Sequence, residues 1–316
     1  MTVRVFALHA AVLAVLFLAQ FAASDYAVLM LTRIMVLAVY AVGYNLLFGY
    51  TGLLSLGHAM FFATGLYAAA LGTTLMGLSV PSAFVFAILM GIIVSLIMGA
   101  ITLRASGVAF MIVTLMFSQA AFLTVLYFGE YTRGDEGIVI PDTVRTFTVF
   151  GLPVDLTSAL LRYNLALAFL AAAIALSLFI VRSRIGHVLI AIRENENRTA
   201  MLGYDVERYK LIAFVISGTL SAFSGACYAL MFAYAGSTLA SIQYSIHPLL
   251  WTLLGGASTV LGPVFGTALM FVLVDVASSY TNANLLMIGA VLIVLVLFFP
   301  KGILGTIRER YWKWLP

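Results

Sequence analysis

The side chains able to do chemistry are few and widely spaced. Only 9% of the 316 residues are charged, and the four histidines, His9, His58, His187 and His247, are scattered. Two other ionisable residues, Arg33 and Asp275, fall well within long apolar runs. A charge at bilayer depth is costly and tends to pair. An Arg33–Asp275 ion pair clamping the two halves near the outer gate is therefore expected, with snorkelling of Arg33 to the headgroups as the alternative. Two polar clusters hold most of the remaining chemistry. Gly49, Gly52 and Gly57 interleave with Tyr50, Thr51, Ser55 and His58 just before Phe61; Gly255, Gly256, Ser258, Thr259, Gly262 and Pro263 precede Phe265. Glycine- and proline-broken segments in corresponding halves point to a translocation path, because irregular backbone at membrane depth must face protein or water. The plainer reading is a pair of tight interhelical turns. Asn45, Thr51, Ser55, His58, Ser258 and Thr259 are the path candidates.

Catalytic constellations are missing from the sequence. It holds no G-x-x-x-x-G-K-S/T phosphate loop, so ATP, if used, must be bound by another polypeptide. No His, Cys, Asp or Glu cluster has metal-ligand spacing, and no G-x-S-x-G nucleophile motif is present. The expectation is a chain that is not an enzyme, with no cofactor or metal of its own and no nucleic-acid partner. The single cysteine, Cys227, lies in an apolar run, which excludes an intrachain disulfide.

The elements that must position these residues are set by hydropathy. Hydrophobic residues make up 64% of the chain and fall in long runs, and about 20 such residues cross a ~30 Å hydrocarbon core. Spans are expected over residues 5–23, 28–48, 56–75, 81–103, 107–128, 160–181, 211–235, 247–261, 263–280 and 285–299. The fold class is thus an all-α integral membrane protein of about ten transmembrane helices, some short or broken, in two weakly similar halves. One domain covers residues 1–316: a first half over 28–128, an outer loop over 129–159, and a second half over 160–299 that contains a polar loop at 182–210, then a tail over 300–316. A β-barrel is excluded, since its strands alternate apolar and polar residues whereas residues 165–181 and 285–299 are apolar all round.

Orientation follows from the basic residues. Arg4, Arg104, Arg182, Arg184, Arg193, Arg198, Arg208, Lys210, Lys301, Arg308, Arg310 and Lys313 fall on one side of such a layout, against Arg133, Arg145 and Arg162 on the other. Excess Lys and Arg marks the cytoplasmic face, which puts both termini inside a bacterial-type inner membrane. The first span also has signal-peptide features, Arg4 ahead of an apolar stretch and Ala22-Ala23 before Ser24, and cleavage there would leave the remaining topology unchanged. Ser217, Ser221 and Gly225, with Gly218, Ala222 and Ala226 one step round, and Gly91, Ser95 and Gly99, recur every fourth residue. Small residues at that spacing let helix backbones approach closely in lipid.

Residues 182–210 form the most informative polar segment. Val188, Ile192, Ala200, Met201 and Leu202 interleave with charge, and Gly203 is placed to end a helix. A short amphipathic helix over 187–203 is expected, as a docking element or a membrane-surface helix.

Here the chain resembles a known family. The run from Arg184 through Gly186, Arg193, Glu194 and Glu196, then Ala200 to Gly203 and Lys210 to Phe214, is similar to the LivM-type permeases of branched-chain amino-acid ABC importers. Residues 52–61, 132–138, 254–263 and 299–303 also resemble segments of that family, so the likeness runs from about residue 28 to the end. The resemblance implies a heteromeric importer: this subunit, a second related permease, two cytoplasmic ATPases that bind the ATP, and an extracytoplasmic substrate-binding protein, all around a lipid-embedded path. It implies docking to the ATPase through Arg193, Glu194, Glu196, Ala200 and Gly203. Arg198 and Thr199 stand where small residues are usual in such loops, and Arg133 where the family often has glycine. Relatives also carry urea, amides and aromatic acids; from another class, a stand-alone secondary carrier would share the same composition.

Overall fold

The computed structural model describes residues 2–149, 152–280, 284–299 and 301–311. Pro300 and Lys313 of the basic tail lie outside them. The first half holds α1 Thr2–Ala19, α2 Asp25–Asn45, α3 His58–Thr74, α4 Val80–Thr102 and α5 Gly107–Tyr127. Short helices α6 Gly129–Thr132 and α7 Asp142–Arg145 follow, with strands β1 Ile138–Val139, β2 Thr146–Val149 and β3 Leu152–Asp155. The second half holds α8 Ala159–Arg182, α9 Arg184–Glu194, α10 Glu196–Met201 and α11 Val206–Phe232. Strand β4 Tyr234–Ala235, α12 Ile242–Gly255, α13 Gly262–Tyr280, α14 Asn284–Phe298 and α15 Ile303–Arg310 complete it. Among the described residues six helices are long and apolar enough to cross a bilayer: α2 with its continuation to Tyr50, α4, α5, α8, α11 and α13. The chain is a helical, multi-pass membrane protein.

At the centre, α2 is buried on all sides from Ile34 to Asn45 and packs on α8, α11, α12 and α13. Helix α11 packs on α2, α3 and α4. The two stripes of small residues meet each other. Helix α4 buries one line only, Val80, Ala83, Ala87, Gly91, Ser95, Gly99 and Thr102. A Cβ on Gly91 would lie 2.4 Å from the Ala222 Cβ, and one on Gly218 would lie 2.6 Å from the Ser95 Cβ. Helices α3 and α11 come closer still, since a Cβ on Gly65 would lie within 1.8 Å of the Ala222 carbonyl oxygen. Only glycine lets the two backbones touch there.

Two helices start elsewhere than hydropathy suggests. Helix α11 begins at Val206 because the Asp205 carboxylate caps it, accepting from the Arg208 amide at 3.1 Å. Lys210 consequently lies inside the helix. The expected span at 247–261 is instead α12, ending at Gly255, with Pro248 in its interior. Proline has no N–H for the carbonyl four residues back, and the freed Tyr244 carbonyl accepts from the Tyr40 hydroxyl of α2 at 3.1 Å.

The 129–159 connection is built rather than loose. Strands β2 and β3 pair as a hairpin, and β1 pairs with β4, just beyond α11. Arg145 is the tie: its guanidinium donates to the carbonyls of Leu230 (3.1 Å), Met231 (2.8 Å) and Leu156 (2.7 Å), and to Asp142 (2.8 Å). It thereby satisfies carbonyls at the C-terminus of α11 that have no partner within the helix. At the hairpin's end the Thr157 hydroxyl and amide donate to Asp155 at 2.6 and 2.8 Å, holding its carboxyl below its ordinary value.

Candidate functional site

Residues 183–203 form an elbow. Ser183 caps α9, which buries Val188, Leu189 and Ile192 against Val206, Tyr209, Ala213 and Phe214. The single helix expected over 187–203 is broken at Asn195, whose extended backbone and side-chain oxygen, accepting from the Arg198 amide at 2.9 Å, start α10 afresh. Asparagine competes with the helix in this way because its side chain mimics a backbone acceptor. Gly203, at φ +88°, ends α10 in the left-handed region that favours glycine. Glu194, Glu196 and Ala200 are exposed, and Glu196 pairs with Lys210 of α11 at 2.5 Å. Met201 and Leu202 stand 85% and 76% exposed at the tip.

The first broken segment follows α2. Beyond Asn45 the helix widens into a π-helical turn, Leu46–Tyr50, and Gly52 at φ +79° turns the chain into non-helical backbone as far as Gly57. Several buried polar groups there find hydroxyl or carbonyl partners, though the Tyr50 hydroxyl does not. Thr51 donates to the Leu46 carbonyl at 2.9 Å, the Leu56 amide to Thr114 at 3.1 Å, and the Ala59 amide to Ser245 at 2.9 Å. His58 is fully buried, with one ring nitrogen 3.1 Å from the Ser55 hydroxyl and the other 2.8 Å from that of Ser217. Ser217 is eleven residues into α11, so His58 lies about 16 Å along that helix, deep in the bundle. Helix α3 therefore starts far from either end of α11.

The second broken segment, residues 256–261, meets the first at one point. Asn45 Nδ2 donates to the Thr259 carbonyl at 2.9 Å, and its Oδ1 accepts from the Ser258 amide at 3.2 Å. The Ser258 hydroxyl donates to the Gly49 carbonyl at 2.8 Å. Arg193 reaches in from α9: one terminal nitrogen donates to the Gly49 carbonyl at 2.5 Å and also to the Ser258 hydroxyl. Arg308 of α15 donates to the Ser258 carbonyl at 2.7 Å. A cavity of about 530 Å³ lies beside this junction, bordered by Tyr50, Arg193, Glu194, Lys301 and Arg308, with Lys301 paired to Glu309.

The structure thus joins residues that the sequence assigned to separate tasks. Asn45, Ser258 and Thr259 share a junction with Arg193; Ser55 and His58 form a second buried network; Thr51 bonds locally. Arg33 and Asp275 do not pair. Among the described residues the ion pairs are Arg145–Asp142, Lys210–Glu196 and Lys301–Glu309. Asp275 accepts from the Tyr26 hydroxyl, while the Arg33 guanidinium lies 5.4 Å from the Phe232 ring centre. Tyr26 precedes Arg33 by seven residues, roughly 10 Å along α2, and the carboxylate that reaches one lies away from the other. Sequence reasoning missed Arg308, for which no motif signals, and the hydroxyls of Thr114, Ser217 and Ser245. Hydroxyls on apolar helices are themselves a sign of interhelical bonding. Among the described residues no group of three His, Cys, Asp or Glu could hold a metal ion.

Comparison with known proteins agrees with this architecture. Residues 26–297 match the family described as "Branched-chain amino acid transport system / permease component". The high-affinity branched-chain amino acid transport system permease protein LivM of Escherichia coli K12 is 28% identical over 302 residues, covering 88% of this chain and 70% of that protein. LivH of the same organism is 22% identical over 285 residues, covering 85% and 91%. BraD of Pseudomonas aeruginosa is 25% identical over 281 residues, again covering 85% and 91%. No solved structure matches the chain. Both broken segments and the elbow between them fall within the matched region, and the chain belongs to the branched-chain amino acid transport permease family.

Proposed function

We propose that this chain is the permease subunit of an ATP-driven importer and forms the path for branched-chain or other small amino acids handed over by an extracytoplasmic binding protein. The observation that carries the reading is the α9–α10 elbow. It lifts Met201 and Leu202 clear of the fold, ringed by exposed Glu194, Glu196 and Arg198, a surface suited to a protein partner. Arg193, Glu194, Glu196, Ala200 and Gly203 belong to that elbow, and a cytoplasmic ATPase is its partner. The remaining partners are a second ATPase, the binding protein and a second related permease. The likeness to both LivM and LivH of one organism supports such a pairing. ATP is bound by the partners, and this chain carries no cofactor or metal.

Both termini lie in the cytoplasm together with the elbow and α15, and the 129–159 connection faces outward. About ten crossings are made, with non-helical backbone completing the short α3 and α12 on their cytoplasmic side. Asn45, Thr51, Ser55, His58 and Thr259 are enclosed by the chain and Ser258 is half-buried. They hold the closed path, and it opens when the junction shifts. Gentle detergent purification of the tagged chain from its native host, with mass spectrometry, tests the reading. Two P-loop ATPases and a second permease are expected, with the ATPases lost from Glu196→Lys or Gly203→Pro. Recovery of the chain alone, under conditions that keep a known importer intact, would overturn it in favour of a stand-alone carrier.

A further inference from the structure

We propose that Arg193 is a positioning residue that converts movement of the elbow into movement of both broken segments at once. The inference rests on reading α9–α10 as the ATPase-docking element. Among the described residues, two side chains of the elbow bond to the rest of the protein, and they differ in kind. Glu196 holds Lys210, and Lys210 belongs to α11, whose backbone touches α3 with no space for a Cβ. That attachment is to the rigid centre and serves as a pivot. Arg193 is attached to the parts of the chain that are not regular helix. Its stem crosses Gly52, where an added Cβ would lie 3.0 Å from the Arg193 Cγ. Its terminal nitrogen bridges the Gly49 carbonyl and the Ser258 hydroxyl.

Ser258 is a hub with no spare polar atom. Its amide goes to Asn45, its hydroxyl to Gly49 and Arg193, and its carbonyl to Arg308. It does this at φ +66°, a conformation that costs a non-glycine residue energy and persists only when its surroundings fix it. Segments with such strained, fully bonded backbone are suited to two discrete arrangements rather than gradual deformation. A tilt of α9 about the Glu196–Lys210 pivot must either carry Gly49 and Ser258 along or break the Arg193 bridge. The first half's broken segment begins at Gly49 and the second half's is centred on Ser258, so one guanidinium grips both.

The test uses the complete importer, with ATPases, second permease and binding protein, in proteoliposomes, and reads ATP hydrolysed per substrate imported alongside subunit stoichiometry. In complexes that keep their ATPases, Arg193→Met is expected to raise the ATP hydrolysed per substrate imported tenfold or more. Arg193→Lys, whose ammonium can donate to both oxygens, is expected to recover most of the coupling. Ser258→Gly suits the left-handed backbone and removes the hydroxymethyl group, leaving the elbow's surface untouched; its ratio of ATP to substrate should rise severalfold. An unchanged ratio in an assembled Arg193→Met complex overturns the proposal. Should Arg193→Met shed the ATPases, Ser258→Gly decides: a raised ratio upholds the bridge and a wild-type ratio overturns it. Failure of the importer reading itself would show earlier, as a wild-type chain that never recruits ATPases.

Discussion

Replacing Arg145 by methionine should unlock the 129–159 connection, and Cys227 can report it. The Arg145 side chain is 6% exposed and serves three carbonyls. Met231 also accepts from Arg162 at 3.1 Å and keeps a partner, so Arg145→Met strips the Leu230 and Leu156 carbonyls. A hydrogen bond to a charged group contributes about 1.5–3 kcal/mol, so at the low end the two together amount to about 3 kcal/mol. At about 1.4 kcal/mol per decade, local opening becomes roughly 100-fold more frequent. Cys227, the single cysteine of the chain, is 3% exposed and lines an apolar cavity of about 280 Å³ roofed by Phe147 and Val154 of the hairpin. Labelling by a membrane-impermeant maleimide should accelerate by about that factor. Asp142→Asn is the control. The Asp142 side chain is 75% exposed, and loss of so solvated a pair is worth under about 1 kcal/mol, less than about fivefold in rate. Labelling of a monodisperse Arg145→Met protein within threefold of wild type would refute the view that Arg145 holds the hairpin down.

Gly65→Ala should force α3 and α11 apart and lower the thermal midpoint in detergent by the equivalent of about 1–3 kcal/mol. Gly289→Ala, where an added Cβ meets nothing within 4 Å, should be neutral. Glu196→Gln leaves Lys210, whose side chain is 10% exposed, without its carboxylate. Because Glu196 is itself half-exposed the loss should be about 1 kcal/mol, and Lys210→Met in the same chain should restore it in a double-variant thermal scan. The depressed folded value of Asp155 means that its contribution is present above the usual aspartate value near about 4 and is lost as pH falls through the folded value. Hydrogen exchange of residues 152–157, corrected for intrinsic rates, should rise on acidification in wild type and lose that dependence in Asp155→Asn.

The helices were legible because lipid demands long apolar runs, and the stripes of small residues on α4 and α11 were legible because close packing demands small side chains. What failed to show depends on caps and on the register of one helix along another. Asn195 ends α9 and Asp205 starts α11 through single side-chain bonds, which hydropathy cannot weigh. Asp275 meets Tyr26 rather than Arg33 because of where α13 sits along the length of α2, and the 241 residues between Arg33 and Asp275 carry no record of that register. The path candidates were found as polar residues in broken segments, and Arg193 as part of a docking loop. Their meeting at Ser258 is a tertiary fact. Arg145 was visible only as one charge in a polar connection; its task is set by the carbonyls of a helix end some 85 residues later.

The satisfaction of the first broken segment by distant hydroxyls bears on how the chain is made. The Ala59 amide bonds to Ser245, 186 residues downstream, and the His58 ring to Ser217, 159 residues downstream. At about 5–20 residues per second, Ser245 leaves the ribosome roughly 10–40 s after Ala59. Until then the Ala59 amide lacks the Ser245 hydroxyl, and the His58 ring waits for Ser217, while a bare polar group in hydrocarbon costs several kcal/mol. The nascent α2–α3 pair must wait in a wet or shielded site, in the insertion machinery or at the interface, until α11 and α12 arrive. Truncation before residue 245 should therefore yield a chain that is targeted to the membrane yet extracted from it and degraded.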